Sequence, residues 1–507
     1  MPAKTLMIQG TASSAGKSIL VAALCRIFRQ DGLSVAPFKS QNMALNSFVT
    51  REGGEIGRAQ VVQAEAAGIV PTVDMNPVLL KPEADSRSQV IVMGKVFKTI
   101  SASEYYKYTS ELLKTVQSAF NRLRADYDVV IIEGAGSPAE INLKEREITN
   151  MRIARMAKAP VLLVGDIDRG GVMASIVGTL ELLDEDERDH IKGFVINKFR
   201  GDLKLFQPAI EFLENKTLKP VIGVVPYFRD IHIAQEDSVY LDERQDNSGT
   251  AGIDVAIIRF PRISNYDDFD PLEREGCRVR YITGPAELGS PDLIILPGTK
   301  NTIKDLIHLK QSGLAEELIK QAGEGKSIIG ICGGYQMLGK SIRDPEGIES
   351  TEKEVPGLGL LDVTTAFLPD KSTVQVKARA VADRGLLQGA GNEVLVGYEI
   401  HVGQTSNNKS ASAFHVDETP DGKADYFDGA LNAQGTVLGT YMHGLFNNTD
   451  FRRNLLNYIR RQSGLPETQY GAIADKDTEY DKLAELVRNS LDIDLIRKII
   501  NQGILRR

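Results

Sequence analysis

Residues 4–18 read KTLMIQGTASSAGKS, an apolar β-type run that breaks into a glycine-bounded loop and then passes into the apolar stretch ILVAALCRIF. Strand, loop and helix in this order form the setting in which backbone amides and a helix N-terminus cradle phosphate oxygens. Gly10, Thr11 and Gly16 shape that loop. Lys17 is placed to reach the terminal phosphates of ATP, and Ser18 to offer its hydroxyl to Mg²⁺. Five residues separate the two glycines, one more than in the usual phosphate-binding spacing.

Outward from this loop, the runs VAPF, VVII, VLLVG, FVIN and VIGVV alternate with longer helical stretches up to about Pro226. That is the rhythm of βαβ units, and near-continuous apolar strands point to a parallel sheet covered by helices on both faces. An α/β domain is therefore expected over residues 1–242. The polar segment ERQDNSGTA reads as a linker. The rhythm restarts in DVAIIRF, CRVRYI, DLIILPG and SIIGIC, giving a second α/β domain over residues 252–462 with an antiparallel insertion around VQVKARAV and LVGYEIHV. Residues 463–507 are expected to form a helical tail, with one amphipathic helix near Tyr480 to Ile500 packing on the second domain.

A length of 507 residues suits two cores, and 42% hydrophobic with 25% charged residues suits a globular chain. A net charge of -8 argues against a nucleic-acid groove and favours small-molecule substrates. The three cysteines, Cys25, Cys277 and Cys332, share no paired spacing, so a reducing, cytoplasmic setting is expected. The opening MPAKTLMIQG has no basic segment followed by a long apolar one, and no later stretch is apolar enough to span a bilayer, so neither export nor membrane association is expected. A homo-oligomer is compatible with these readings.

Two sites carry the chemistry. Glu133 ends VVIIEGAG where ligands sit in open α/β sheets, and it is a candidate metal carboxylate beside Ser18. Asp166 and Asp168 in GDIDRGG repeat that placement, and Lys39 in PFKSQNMALNS is a cation suited to a transferring phosphoryl group. In the second domain Cys332 lies in SIIGICGGYQMLG, a strand running through a glycine turn into a helix, the thiol form of a nucleophile elbow. Gly333 offers an oxyanion N–H and the LPGTKNT loop around Gly298 a second. His443 in GTYMHGLF is the expected imidazole partner, with His401 in GYEIHVG its competitor. Cys25 and Cys277 lack such a setting and read as structural.

GTASSAGKS, PFKSQNMALNS, EIGRAQVVQAEAAG, NPVLLKP, IIEGAGSPAEINL, GDIDRGGVMAS, INKFRGD, LPGTKNT, GICGGYQMLG, GYEIHVG and GTYMHGLF together resemble the cobyric acid synthase family over nearly the whole chain. The resemblance implies a dethiobiotin synthetase-like, ATP-dependent domain followed by a class I glutamine amidotransferase domain of flavodoxin-like fold. It implies ATP and Mg²⁺ with glutamine as nitrogen donor, no prosthetic group, and a corrinoid acid, adenosylcobyrinic acid a,c-diamide, amidated at its b, d, e and g carboxylates. The related a,c-diamide synthases carry a motif built around GPDYIDP where this chain has SQNMALNS, so they are the nearer alternative. A partition-type ATPase switch is the alternative of a different class, permitted by the phosphate loop and opposed by the cysteine elbow. On the same resemblance Lys39, Gln41, Asn42 and Asn46 face the substrate carboxylate or the γ-phosphate. Class I glutaminases place a glutamate two residues after the histidine, but this chain has Leu445, so another acid must orient His443; Glu399 is the expected substitute. Asp230 and His232 begin a pattern like a corrinoid-binding box, but Gln235 stands at its glycine position, so the corrin is expected as substrate and not as a histidine-ligated cofactor.

Overall fold

In the computed structural model, which describes residues 2–84, 87–228, 230–234, 252–391, 393–471 and 476–504, the six apolar runs of the first half lie side by side in one parallel sheet. Their order is Val221–Pro226, Ile191–Phe199, Val161–Asp166, Lys4–Gly10, Val129–Glu133 and Val35–Phe38. Lys4–Gly10 is central, with Met7 opposite Val161 on one side and Ile132 on the other. Its residues Leu6, Met7 and Ile8 are buried because helices cover both faces, which is why these strands do not alternate. Gly10, Glu133 and Asp166 thereby all end at the carboxyl edge of one sheet.

A second sheet of four strands, Gln41–Met43, Val78–Ala84, Arg87–Val92 and Lys95–Ser101, was not among the runs read as strands. The last of these, KVFKTIS, is largely exposed and carries too few apolar residues to declare itself.

The chain separates into two units. One comprises Met1–Ala44, Ile56–Asp237 and Ala474–Arg507, the other Leu45–Glu55 and Ser238–Ile473. The C-terminal segment thus corrects the expectation made for it. It forms two helices, Lys476–Ser490 and Ile493–Gln502, and they pack on the first unit. Tyr480, Leu483, Val487, Ile496 and Ile500 share a core with Leu20, Leu24, Ile27 and Phe28 of the helix Lys17–Gln30. Arg26 bridges Asp477 at 2.8 Å and Asp481 at 2.7 Å. Asp492 breaks the helix by capping the next one, its side chain accepting from the Leu495 N–H at 2.8 Å.

The second unit has a mixed sheet. Arg278–Ile282, Asp254–Ile258, Leu293–Leu296, Ser327–Ile331 and Val437–Thr440 run parallel. Antiparallel strands Gly422–Leu431, Ala411–Thr419, Val363–Ala380 and Leu395–Asn407 extend it. The last two include the expected antiparallel insertion. The linker expected at 242–252 lies, apart from Gly252, outside the described residues, as does Gln235. Among the described residues no helix is long and apolar enough to cross a membrane.

Candidate active site

The strand Lys4–Gly10 hands the chain to a loop whose backbone turns left-handed at Ser14 (φ 55°) and Gly16 (φ 95°) before the helix Lys17–Gln30 begins. A side chain at Gly16 is excluded, since its Cβ would lie 2.0 Å from the Asn197 amide nitrogen. That amide donates to the Ala15 carbonyl at 2.9 Å and braces the loop from the strand Ile191–Phe199, two places away in the sheet. Thr11 N–H donates to the Val164 carbonyl at 2.9 Å. Lys17 folds over the loop, its Nζ donating to the carbonyls of Ala12 at 2.9 Å and Gly136 at 3.1 Å.

Ser18 and Glu133 meet, the hydroxyl donating to the carboxylate at 2.8 Å. Lys39 Nζ lies 2.9 Å from the same carboxylate oxygen, and both partners are buried. Burial works to raise the Glu133 pKa, but Lys39 and the hydrogen bonds from Gln63 and Ser18 hold it below the ordinary carboxylate value. Two glutamines complete this shell. Gln63 donates to the other Glu133 oxygen, and Gln60 reaches it at 3.5 Å while accepting from the Asn42 amide at 3.0 Å. Gln60 and Gln63 were not singled out in the sequence; both are fully buried on one face of the helix Arg58–Ala67, and paired glutamines three apart on an otherwise apolar face were the available signal.

Gln41 accepts from the Tyr105 hydroxyl in the same unit. Asp166 pairs with Lys198 at 2.9 Å and Asp168 with Arg200 at 2.8 Å, so both are tied to cations following or ending the adjacent strand. Among the described residues no group of three or more His, Cys, Asp or Glu side chains is arranged to hold a metal. Ser18 and Glu133 fit a cation that takes its other ligands from phosphate oxygens and water.

In the second unit the strand Ser327–Ile331 ends at Cys332, whose φ of 53° and ψ of -111° are forced by the turn into the helix Gly333–Leu338. A non-glycine residue held there costs about 1–3 kcal/mol and persists only because its surroundings over-determine it. The glycines make the turn fit. A Cβ at Gly334 would stand 1.9 Å from the Leu296 carbonyl oxygen, and one at Gly333 2.8 Å from the Thr299 methyl. These distances bring the elbow against the loop that follows Leu293–Leu296, which contains Gly298.

His443 completes the group. Its ring lies near enough to Cys332 for the thiol to act on its protonation, the Cys332 Sγ itself donating to the Ile400 carbonyl at 3.5 Å, and a Cβ at Gly298 would sit 3.1 Å from the His443 Cε1. Cys332, His443, Gly298 and Gly333 are thus gathered at one point. The carboxylate that holds His443 is Asp268, not Glu399. Asp268 Oδ2 lies 2.7 Å from His443 Nδ1, and its other oxygen accepts the Gly444 N–H at 2.9 Å. His443 and Asp268 are 1% and 4% exposed, so the pair is shielded from water. Burial alone would lower the His443 pKa; the charge and hydrogen bond of Asp268, with a smaller contribution from Cys332, raise it from 6.5 to about 10.

Glu399 is corrected by strand alternation. Tyr398 stands opposite His443 and stacks on its ring at 5.3 Å, so Glu399 points to the other face, 3.7 Å from His401. His401 stacks on Tyr441 at 3.7 Å, and its Nδ1 lies 3.0 Å from the Gly403 carbonyl. Asn46 belongs to the second unit, where its Oδ1 accepts the Asn265 N–H at 2.8 Å. Cys25 and Cys277 are buried in the apolar cores, where burial pushes both thiols up, Cys277 to about 12.

Residues 6–239 match the family model of the CobQ/CobB/MinD/ParA nucleotide binding domain, and residues 254–451 that of the CobB/CobQ-like glutamine amidotransferase domain. A cobyric acid synthase of Dehalococcoides mccartyi is 61% identical over 99% of the chain and 100% of its own length. Those of Sorangium cellulosum and a Thermoanaerobacter species are 54% and 51% identical, the first covering 100% of both chains, the second 98% of this chain and 99% of its own.

Proposed function

Because the chain belongs to the cobyric acid synthase family, we infer that it amidates the b, d, e and g carboxylates of adenosylcobyrinic acid a,c-diamide, using ATP and ammonia released from glutamine. The observation that carries the assignment is the presence, in one polypeptide, of a phosphate loop braced at Ser18 and Glu133 and a buried Cys332–His443–Asp268 group.

In the glutaminase reaction the Cys332 thiolate attacks the side-chain carbonyl of glutamine. Backbone N–H groups near Gly298 and Gly333 stabilise the oxyanion, and the C–N bond breaks as the charged His443 ring delivers a proton to the departing ammonia. The neutral ring then takes a proton from water as it attacks the thioester, which releases glutamate and restores thiolate and imidazolium.

In the synthetase unit the γ-phosphoryl of ATP passes to a substrate carboxylate, giving an acyl phosphate and ADP. Ammonia attacks the acyl carbon and phosphate leaves with the amide formed. Gly10, Thr11, Gly16 and Lys17 hold the phosphates, and Lys39 offsets charge on the group in transfer. A Mg²⁺ ion at Ser18, with Glu133 directly or through water, would neutralise the phosphate oxygens. Gln41 and Asn42 stand near the substrate carboxylate.

Incubation with the corrin a,c-diamide, ATP and glutamine, followed by mass spectrometry, tests the function. Four successive exchanges of hydroxyl for amino are expected. ADP release that responds to DNA or lipid and needs no corrin acid would refute it.

A further inference from the structure

Residues Leu45–Glu55 belong in sequence to the synthetase half but in space to the unit that carries Cys332. They are built into it. Gln375 donates its amide to the Val49 carbonyl at 2.9 Å, Lys371 pairs with Glu55, and Ser47 donates to Glu55 at 2.8 Å. Asn46, Ser47, Val49 and Thr50 are all buried.

This segment grips one residue in particular. Asn265 adopts the left-handed conformation (φ 53°) immediately before the turn Tyr266–Phe269 that contains Asp268. Three hydrogen bonds hold it there. Its N–H donates to Asn46 Oδ1 at 2.8 Å, and its side-chain amide donates to the Ser47 carbonyl at 2.9 Å and the Tyr398 hydroxyl at 2.8 Å. The Asn265 carbonyl in turn accepts the Asp268 N–H at 3.1 Å. Tyr398, held at its hydroxyl end by Asn265 and flanked by Phe48 at 5.0 Å, presents its face to His443. Both groups that orient the imidazole, Asp268 on its Nδ1 and Tyr398 on its face, are therefore anchored through Asn265.

We propose that Asn46 is a positioning residue for the glutaminase reaction: its Oδ1 fixes Asn265, and through it Asp268 and His443. This rests on the reading of Cys332 as the glutaminase nucleophile. The remaining amide of Asn46, Nδ2, is buried and has no hydrogen-bond partner among the described residues. The polar contact that Asn46 makes with the Asp268 segment thus runs through its oxygen, and loss of that oxygen would leave the buried Asn265 N–H without its acceptor. A residue that met the corrin acid or ATP instead would affect amidation from free ammonia. A residue that acts through Asn265 affects only the release of ammonia from glutamine.

The test compares Asn46→Ala with Asn46→Asp in the full-length protein. Asn46→Ala removes the acceptor, and glutaminase kcat is expected to fall about tenfold or more, the effect of one lost buried hydrogen bond, with little change in KM. Ammonia-dependent amidation stays at the wild-type rate. Asn46→Asp keeps an acceptor oxygen and recovers most of kcat. Independently of turnover, the rate of Cys332 alkylation by iodoacetamide is followed against pH. The limb that titrates with His443 is expected in the wild type and in Asn46→Asp, and displaced in Asn46→Ala. An unmoved profile in Asn46→Ala, or an equal loss of ammonia- and glutamine-dependent amidation, overturns the proposal. A wild-type chain that hydrolyses no glutamine would refute the functional reading, while the alkylation profile would still decide the role of Asn46.

Discussion

Replacing Asp268 by Asn leaves the shape of the site nearly unchanged and removes one charge. In the native protein that carboxylate faces a fully buried imidazole at 2.7 Å, and its second oxygen is satisfied by the Gly444 N–H. Without it, burial favours the neutral ring, and the amide can present a donor where Nδ1 needs an acceptor, which reverses the tautomer. Removing one partner of a buried pair costs about 3–5 kcal/mol. That cost falls on stability; the rate falls separately because the reversed tautomer cannot exchange its proton with Cys332, and glutaminase kcat should drop by roughly a hundred- to ten-thousand-fold, the worth of a general acid–base. The pH dependence has a definite sign. His443 has its pKa raised from 6.5 to about 10, so the stability its charged form contributes is complete below about pH 6.5 and lost as pH rises through about 10. In Asp268→Asn that contribution is absent, and the difference in stability between variant and wild type should be largest near neutrality and below, narrowing toward pH 10. Glutamate release measures the first effect, denaturation at several pH values the second, and ammonia-dependent amidation controls for folding. Glutaminase activity within threefold of wild type, or a parallel loss of the ammonia reaction in a folded variant, would refute the argument.

Three further outcomes follow from the same geometry. Cys332→Ala should abolish glutamine-dependent synthesis and leave synthesis from high free ammonia largely intact; loss of both in a folded variant contradicts the division between the units. Lys17→Ala should lose both nitrogen sources, since phosphate binding precedes either, and retained ammonia-dependent synthesis would exclude its assigned role. Leu483→Ala opens a cavity in the core shared by the C-terminal helix and the helix Lys17–Gln30, and should cost about 2–5 kcal/mol, read from denaturant unfolding. An unchanged unfolding midpoint would show that the tail does not support that core.

The parallel strands of both units were legible because buried strands are continuous apolar runs. The elbow was legible because paired glycines after an apolar strand mark a sharp turn into a helix, with Cys332 at its apex. What the sequence concealed was the identity of long-range partners. The amphipathic pattern after Tyr480 announces a buried face but not what covers it, and the matching surface on the helix Lys17–Gln30 lies more than four hundred residues away, as the Arg26–Asp477 pair shows. The partner of Asn46 was concealed for a related reason. Its neighbours Gln41 and Asn42 belong to the first unit, and nothing local marks the change at Leu45.

Asp268 carries no local signal, yet its position follows from the residue two beyond His443. Leu445 occupies the place where a class I glutaminase has its acid, and it is completely buried with Phe269, Phe446 and Leu455. A carboxylate there would be enclosed by hydrocarbon, at a cost that only a well-placed cation could offset. The acid must then arrive from another element that can reach His443 Nδ1 while anchoring itself in that same core. Phe269 and Phe446, with ring centroids 6.2 Å apart, provide the anchor. Each aromatic sits beside a segment of the site, one adjoining Asp268 and the other three residues beyond His443. Packing between them therefore sets the distance across which carboxylate and imidazole meet, and the apolar residue at 445 is part of how the acid at 268 is held.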